Sequence, residues 1–285
     1  MKKHNFISLI PAVVFVILLS QFAGTNTAFG LSLIGPPRSL LQEGQSAFAL
    51  ELMYSNMDLQ SFGDVTETSA SLAVPDYSKY DIESLKSIMP SVRVDTNIFE
   101  DWDIFLRLGI ADAAGDISEE QAGGADGSQY DDFDGGFGFS YGIGTRTTFY
   151  NQNNVTWGGI FQINCVNPGD SDITDKTDPA FSGNAELNYW EVQLAIGPTV
   201  QYDNVRIYGG PFLNFVNGDL DISGSTTDPI PVGTTIEVSH EIKEESQLGG
   251  FLGAQWNLGN NSTLVTEVQF TGDAWGIGIG TAWKF

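Results

Sequence analysis

Cysteine occurs once in 285 residues, as Cys165, so the chain can form no internal disulfide. On a strand face that residue reads as a small apolar side chain. Basic residues are scarce, with 12 Lys and Arg against 36 Asp and Glu and a formal net charge of −24. A chain this acidic repels a polyanion, which excludes nucleic acid as a partner. Beyond residue 30 no apolar run reaches the roughly 18 residues a transmembrane helix needs, so a membrane-bound mature chain has to cross as strands. Acidic chains are often disordered, but 41% hydrophobic and 12% aromatic residues argue against that here.

What the chain does have is period-two alternation. From Trp275 to Phe285 the odd positions are mostly large and apolar and the even ones are Gly, Ala or Lys. A strand sends these two sets to opposite faces. A soluble sandwich would need a polar outer face, whereas a barrel in lipid wants apolar side chains outside and small or polar ones inside. The opposite end fits export. Met1-Lys2-Lys3-His4 is basic, Phe6–Leu19 is an apolar run, and Ala28-Phe29-Gly30 has the small-x-small form of a cleavage site. Residues 1–30 therefore read as a signal peptide. Residues 31–44, with the pair Pro36-Pro37, read as a periplasmic tail or a short plug, and 45–285 as one barrel.

Ten strand candidates follow, beginning near Gln45, Ile88, Asp103, Gly136, Val155, Leu187, Val205, Gln247, Thr263 and Trp275. Short polar turns such as 151–154, 202–204 and 259–262 alternate with four long acidic stretches. Those stretches, 58–87, 112–134, 166–186 and 217–245, contain 26 of the 36 acids and are expected to be extracellular loops. Tyr80–Ile88 carries weak helical spacing and is expected to form a short surface helix. The fold class expected is an all-β, antiparallel, up-and-down transmembrane barrel of about ten strands, with eight or twelve as alternatives and periplasmic termini.

Parity provides an independent test. If the apolar face of each strand is outward, Glu51, Arg93, Asp95, Arg107, Arg146, Glu191, Arg206, Glu267 and Lys284 all point into the lumen. Five basic and four acidic groups make that lumen nearly neutral. Charge facing lipid at mid-depth would cost about 2–4 kcal/mol for Arg or Lys.

The signal peptide, the alternating strands, the long outer connections and the ending Trp283-Lys284-Phe285 together resemble the small outer-membrane barrels of the opacity-protein and surface-antigen type. The resemblance implies localisation in the bacterial outer membrane, lipid as the surrounding partner, and a terminal signal, Trp283 and Phe285, read by the barrel assembly machinery. It implies no catalytic residue and leaves the extracellular partner open.

Other motifs are weighed on their context. The glycines of 136–144 alternate with Phe, Tyr and Ile within a strand, so they are small inward positions rather than a dinucleotide loop. Glu119, Glu120, Asp131, Asp132 and Asp134 could ligate a hard cation, but EF-hand spacing is absent. They fit better a solvated acidic surface that takes divalent cations loosely, and no cofactor is implied. Ser239 and His240 with Asp219 and Asp221 could form a rim hydrolase acting on peptide or lipid. A lone histidine in a polar stretch is more often only solvated. The leading reading is a non-enzymatic barrel with a structural or surface-interaction role and a lumen filled by a charged network. The alternative is a narrow channel for small solutes.

Overall fold

The computed structural model describes residues 31–62, 79–121, 125–129, 133–176, 180–226, 234–244, 246–259 and 261–285. The signal peptide read from residues 1–30 lies outside them. Thirteen strands occur in chain order. They are β1 (Ser46–Phe62), β2 (Lys79–Phe99), β3 (Trp102–Gln121), β4 (Ala125–Gln129), β5 (Phe133–Gln152), β6 (Val155–Asn167) and β7 (Ser171–Thr174). Then come β8 (Phe181–Tyr202), β9 (Val205–Thr226), β10 (Thr234–Glu244), β11 (Leu248–Gly259), β12 (Ser262–Phe270) and β13 (Ala274–Lys284).

The antiparallel pairings run β1-β2-β3-β5-β6-β8-β9-β11-β12-β13 and return to β1, which is a closed ring of ten. Closure pairs Ala47 with Lys284 and Met57 with Ala274. Such a ring leaves no open edge, as a sheet in hydrocarbon requires. The ten-stranded expectation therefore holds. The tight turns at its lower end place Asp101, Asn153, Asp203 and Asn261 at positive φ, the conformation that Asn and Asp tolerate best after Gly.

Around the outside runs the apolar band. Leu106, Leu108, Phe137, Phe139, Leu194, Leu252 and Ile277 are all at least half exposed. A soluble monomer rarely shows so wide a surface of this kind, and lipid is its natural solvent. Aromatic side chains border the band. Tyr54 packs against Trp275 at 5.3 Å, and Phe48 stacks on Trp283 at 6.4 Å.

The strands continue well past this band. β8 and β9 have 22 residues each, about 70 Å of strand at about 3.3 Å per residue, against an apolar band about 25 Å tall. Much of the acidic sequence expected in loops is thus strand. The reason lies in a change of face chemistry without a change of face. On the outer side of β9, Leu213 and Phe215 give way to Asn217, Asp219 and Asp221, while on its inner side Leu220 and Ile222 are buried. Alternation persists, with the charge now in water and the apolar set inside.

The expected helix at Tyr80–Ile88 is strand, part of β2. A register shift between Glu83 and Lys86 in the β2–β3 ladder, with Ser84 at φ 51°, puts Ile82 and Leu85 on the same inner face three residues apart. A bulge turns spacing of two into spacing of three, and three resembles a helix.

Above the short 271–273 turn, β10 pairs directly with β1, Leu59 opposite Glu244 through Phe62 opposite Glu241. β12 and β13 have already ended there, so the ring narrows. Introducing a charge on the outer band tests the orientation. Leu194→Arg should destabilise the folded barrel in lipid bilayers by about 2–4 kcal/mol, measured by urea titration of the heat-modifiable gel shift.

Candidate functional site

The lumen is the site to examine, because inward parity concentrates the strand charges there. Glu51, Arg93, Asp95, Arg107, Arg146, Glu191 and Glu267 are each no more than 5% exposed. Arg206 and Lys284 are half-buried, toward the periplasmic mouth. Five of these groups form one connected network. Arg93 pairs with Glu51 and, at 3.0 Å, with Asp95. Arg107 reaches the other Glu51 oxygen at 2.9 Å, and Arg146 reaches Asp95 at 3.1 Å.

Phe105 sits at the centre of the three guanidiniums. Its inward ring lies 5.2, 5.7 and 4.9 Å from the Cζ atoms of Arg93, Arg107 and Arg146. Cation–π attraction strengthens where water is excluded, so one buried ring holds apart three like charges that would otherwise repel. Gly144 makes room for it, since a Cβ there would stand 2.2 Å from Phe105 Cζ.

The remaining acids do not pair with arginine side chains. Residues 31–42, within the 31–44 stretch expected to be a periplasmic tail or a short plug, enter the lumen and supply other partners. Ser32 N–H donates to Glu191 at 3.1 Å, and Ile34 and Gly35 N–H groups donate to the two oxygens of Glu267 at 2.9 and 2.8 Å. Leu40 N–H and Ser39 Oγ–H donate to Asp103 at 2.6 and 2.8 Å. In return Arg107 donates to Leu33 O at 2.8 Å, Gln269 to Ser32 O at 2.8 Å, and Lys284 to Leu40 O. The segment goes inside rather than hanging below the barrel because an extended backbone exposes unpaired N–H groups and these buried carboxylates need donors. Leu31, Leu33 and Ile34 fill the space between.

Asp103 was missed as a lumen residue because it stands at a strand start, beside a turn. Its parity with Phe105 and Arg107 was the available signal. The neutral lumen amides Gln162, Asn164 and Gln193 were also missed, and Asn164 bridges Arg107 and Glu191. Above this polar layer the interior changes character. Met57, Leu59, Ile82, Leu85, Phe133, Phe181, Leu187, Leu220, Ile222 and Ile242 form a buried apolar core inside the extended strands. In the polar layer a cavity bordered by Leu33, Gly35, Glu51 and Arg93 holds about 20 Å³, room for about one water.

The other candidate groups do not converge. His240 is 1% exposed and faces the apolar core, whereas Ser239, Asp219 and Asp221 lie on the outer face. Successive strand residues point oppositely, so the rim-hydrolase arrangement is not assembled. Of the acidic metal candidates, Glu119 and Glu120 lie in β3 and Asp134 in β5, its N–H donating to Ser171 Oγ at 2.9 Å. Asp131 and Asp132 lie outside the described residues. Among the described residues no cluster of three metal-ligating side chains occurs. Phe285 is 75% exposed, its backbone paired with Ser46.

No family model matches this chain, and no curated protein does. Solved structures with a similar course include the outer-membrane protease OmpT from Escherichia coli, at 7% identity over 90% of this chain and 99% of that one, TM-score 0.48. Others are the translocator domain of the autotransporter NalP from Neisseria meningitidis (12%, 98% and 97%, TM-score 0.45) and the outer membrane protein OprG from Pseudomonas aeruginosa (11%, 86% and 97%, TM-score 0.43). At these scores the likenesses decide nothing about function, and the barrel stands on its own ring of strand pairs.

Three substitutions probe the lumen. Arg107→Ala takes the donor from Glu51 Oε2 and the nearest donor from Leu33 O in a buried layer and should cost about 3–5 kcal/mol, while Arg206→Ala, half-buried, should cost less than about 1 kcal/mol. Gly144→Ala should displace Phe105 and cost about 1–3 kcal/mol by overpacking. Urea midpoints in detergent check all three.

Proposed function

We propose that this chain is a bacterial outer-membrane barrel whose role is structural or surface-interacting rather than conductive. The observation that carries the reading is the double filling of its interior. A polar layer holding the 31–42 segment occupies the lower lumen, and an apolar core occupies the upper one. A ten-stranded ring is close to the eight-stranded case in which side chains fill the inside. An ion would have to displace hydrogen-bonded backbone from Glu191, Glu267 and Asp103 and then cross a layer lined mainly by buried apolar side chains. Each step strips hydration without replacing it.

The surface offered to the outside is a strand-built wall with acidic outer faces. Asp172, Asp219, Asp221 and Glu241 are exposed on it. Glu241 is held below the usual carboxylate range by the Asn217 amide and by Lys243, whose ammonium lies 3.1 Å away. A rigid wall of this sign favours cationic or cation-bridged partners and repels anionic ones. Trp283 and Phe285 fit the assembly-signal role because their strand closes the ring on β1 while the Phe285 side chain stays accessible.

Planar-bilayer recording tests the reading. Current should stay at background for the wild-type protein and also after deletion of residues 31–40, because the apolar upper core remains. Stable cation-selective steps from the wild-type protein would establish the narrow-channel alternative instead.

A further inference from the structure

The deeply buried charges of the lumen do not balance. Arg93, Arg107 and Arg146 face five buried acids, Glu51, Asp95, Asp103, Glu191 and Glu267, while Arg38, Arg206 and Lys284 stand half-buried, Arg38 and Lys284 acting on Asp103. Among the described residues no basic side chain lies within ion-pair distance of Glu191 or Glu267. Glu267 takes two backbone N–H groups and the Gln269 amide. Glu191 takes Ser32 N–H and the Asn164 amide, both on the same oxygen, Oε1, with the Ser32 hydroxyl beside it. A fully buried carboxylate held by neutral donors alone is poorly compensated.

The residue bonded to Glu191 is one step from Leu31, and Leu31 follows the small-x-small sequence Ala28-Phe29-Gly30. Cutting after Gly30 would create an α-ammonium there. That group carries one positive charge and three donors, which is what the site lacks. Gln269 Oε1, on the amide that donates to Ser32 O, is buried with no partner. The surroundings also oppose an uncut chain. Outward of Glu191 on the same inner face come Tyr189 and Leu187, and the core continues through Phe181, Leu220 and Ile242, all buried. An uncut chain would carry an amide at this point in place of the ammonium.

We propose that the mature chain begins at Leu31 and that its new α-ammonium is the missing cation of the lumen, held against Glu191. Peptide-bond hydrolysis between Gly30 and Leu31 consumes one water and releases the amine, which protonates and pairs. Export processing then supplies the group that completes the lumen when the barrel folds round it. The inference rests on reading residues 1–30 as an export signal.

The test uses protein purified from outer membranes in detergent. Intact mass should place the first residue at Leu31. An amine-acetylating reagent should then modify the α-amine of the folded barrel at least about 100-fold more slowly than Lys243, since reaction requires local opening. After unfolding in urea the two should react comparably. Glu191→Gln, if heat-modifiable migration shows it folded, should speed α-amine modification about tenfold by removing the charge that holds it. A chain starting at Leu31 whose α-amine reacts as fast as Lys243 while folded would overturn the docking and leave the export signal standing. A chain retaining Met1, or starting anywhere but Leu31, would overturn the docking, and retention of Met1 the export reading as well.

Discussion

In a chain that crosses hydrocarbon as strands, a backbone N–H has no partner except another strand, and the other features of this molecule descend from that requirement. It forces the sheet to close, and closure fixes which face of every strand meets lipid. Ten strands make a lumen too narrow to stay full of water yet wide enough to admit one extra extended segment. Charges that parity sends inward therefore meet one another, an aromatic ring or that segment. The Arg93-Glu51-Arg107 connection and the three guanidiniums around Phe105 follow from crowding. So does the capture of Ser32, Ile34 and Leu40 by buried acids.

The same strands serve two solvents. Within the band they are apolar outside and polar inside, and beyond it they are polar outside and apolar inside. The change occurs at one level on neighbouring strands: Val192 opposes Phe215, and the next outward pair, Trp190 and Asn217, begins the exchange. The molecule thus joins a membrane barrel to a water-soluble one without interrupting the ladder. The acidic stretches keep the projecting wall hydrated, and the core inside it contributes the burial that an ordinary soluble β domain relies on.

The barrel was legible because lipid imposes a strict period of two, and ten alternating segments survive in the sequence. Lumen parity was legible for the same reason, residue by residue from Glu51 to Lys284. What escaped was any feature set by partners distant in the chain. Leu220 and Ile222 alternate with Asp219 and Asp221, yet the density of acid made that segment read as loop. Ile82 and Leu85 read as helix because the bulge between Glu83 and Lys86 leaves no trace in composition. Asp103 meets residues 39 and 40 about sixty positions away, and nothing local records that contact. The Glu267 bonds to Ile34 and Gly35 span more than two hundred residues. Sequence shows which way a side chain points, but not what waits opposite it.

The direct pairing of β10 with β1 above the β12–β13 turn gives the molecule the shape of a bottle rather than a pipe. The neck stands at the end where the acidic strands project, and the base at the end where Gln45 leads into β1. The 31–42 segment threads the body and joins the wall at the base. A pull from the base draws that segment along the widening of the wall, whereas a pull toward the neck drives it into the narrowing. Resistance to extraction is therefore directional, a property that follows from the taper of the wall and not from the strength of any bond inside it.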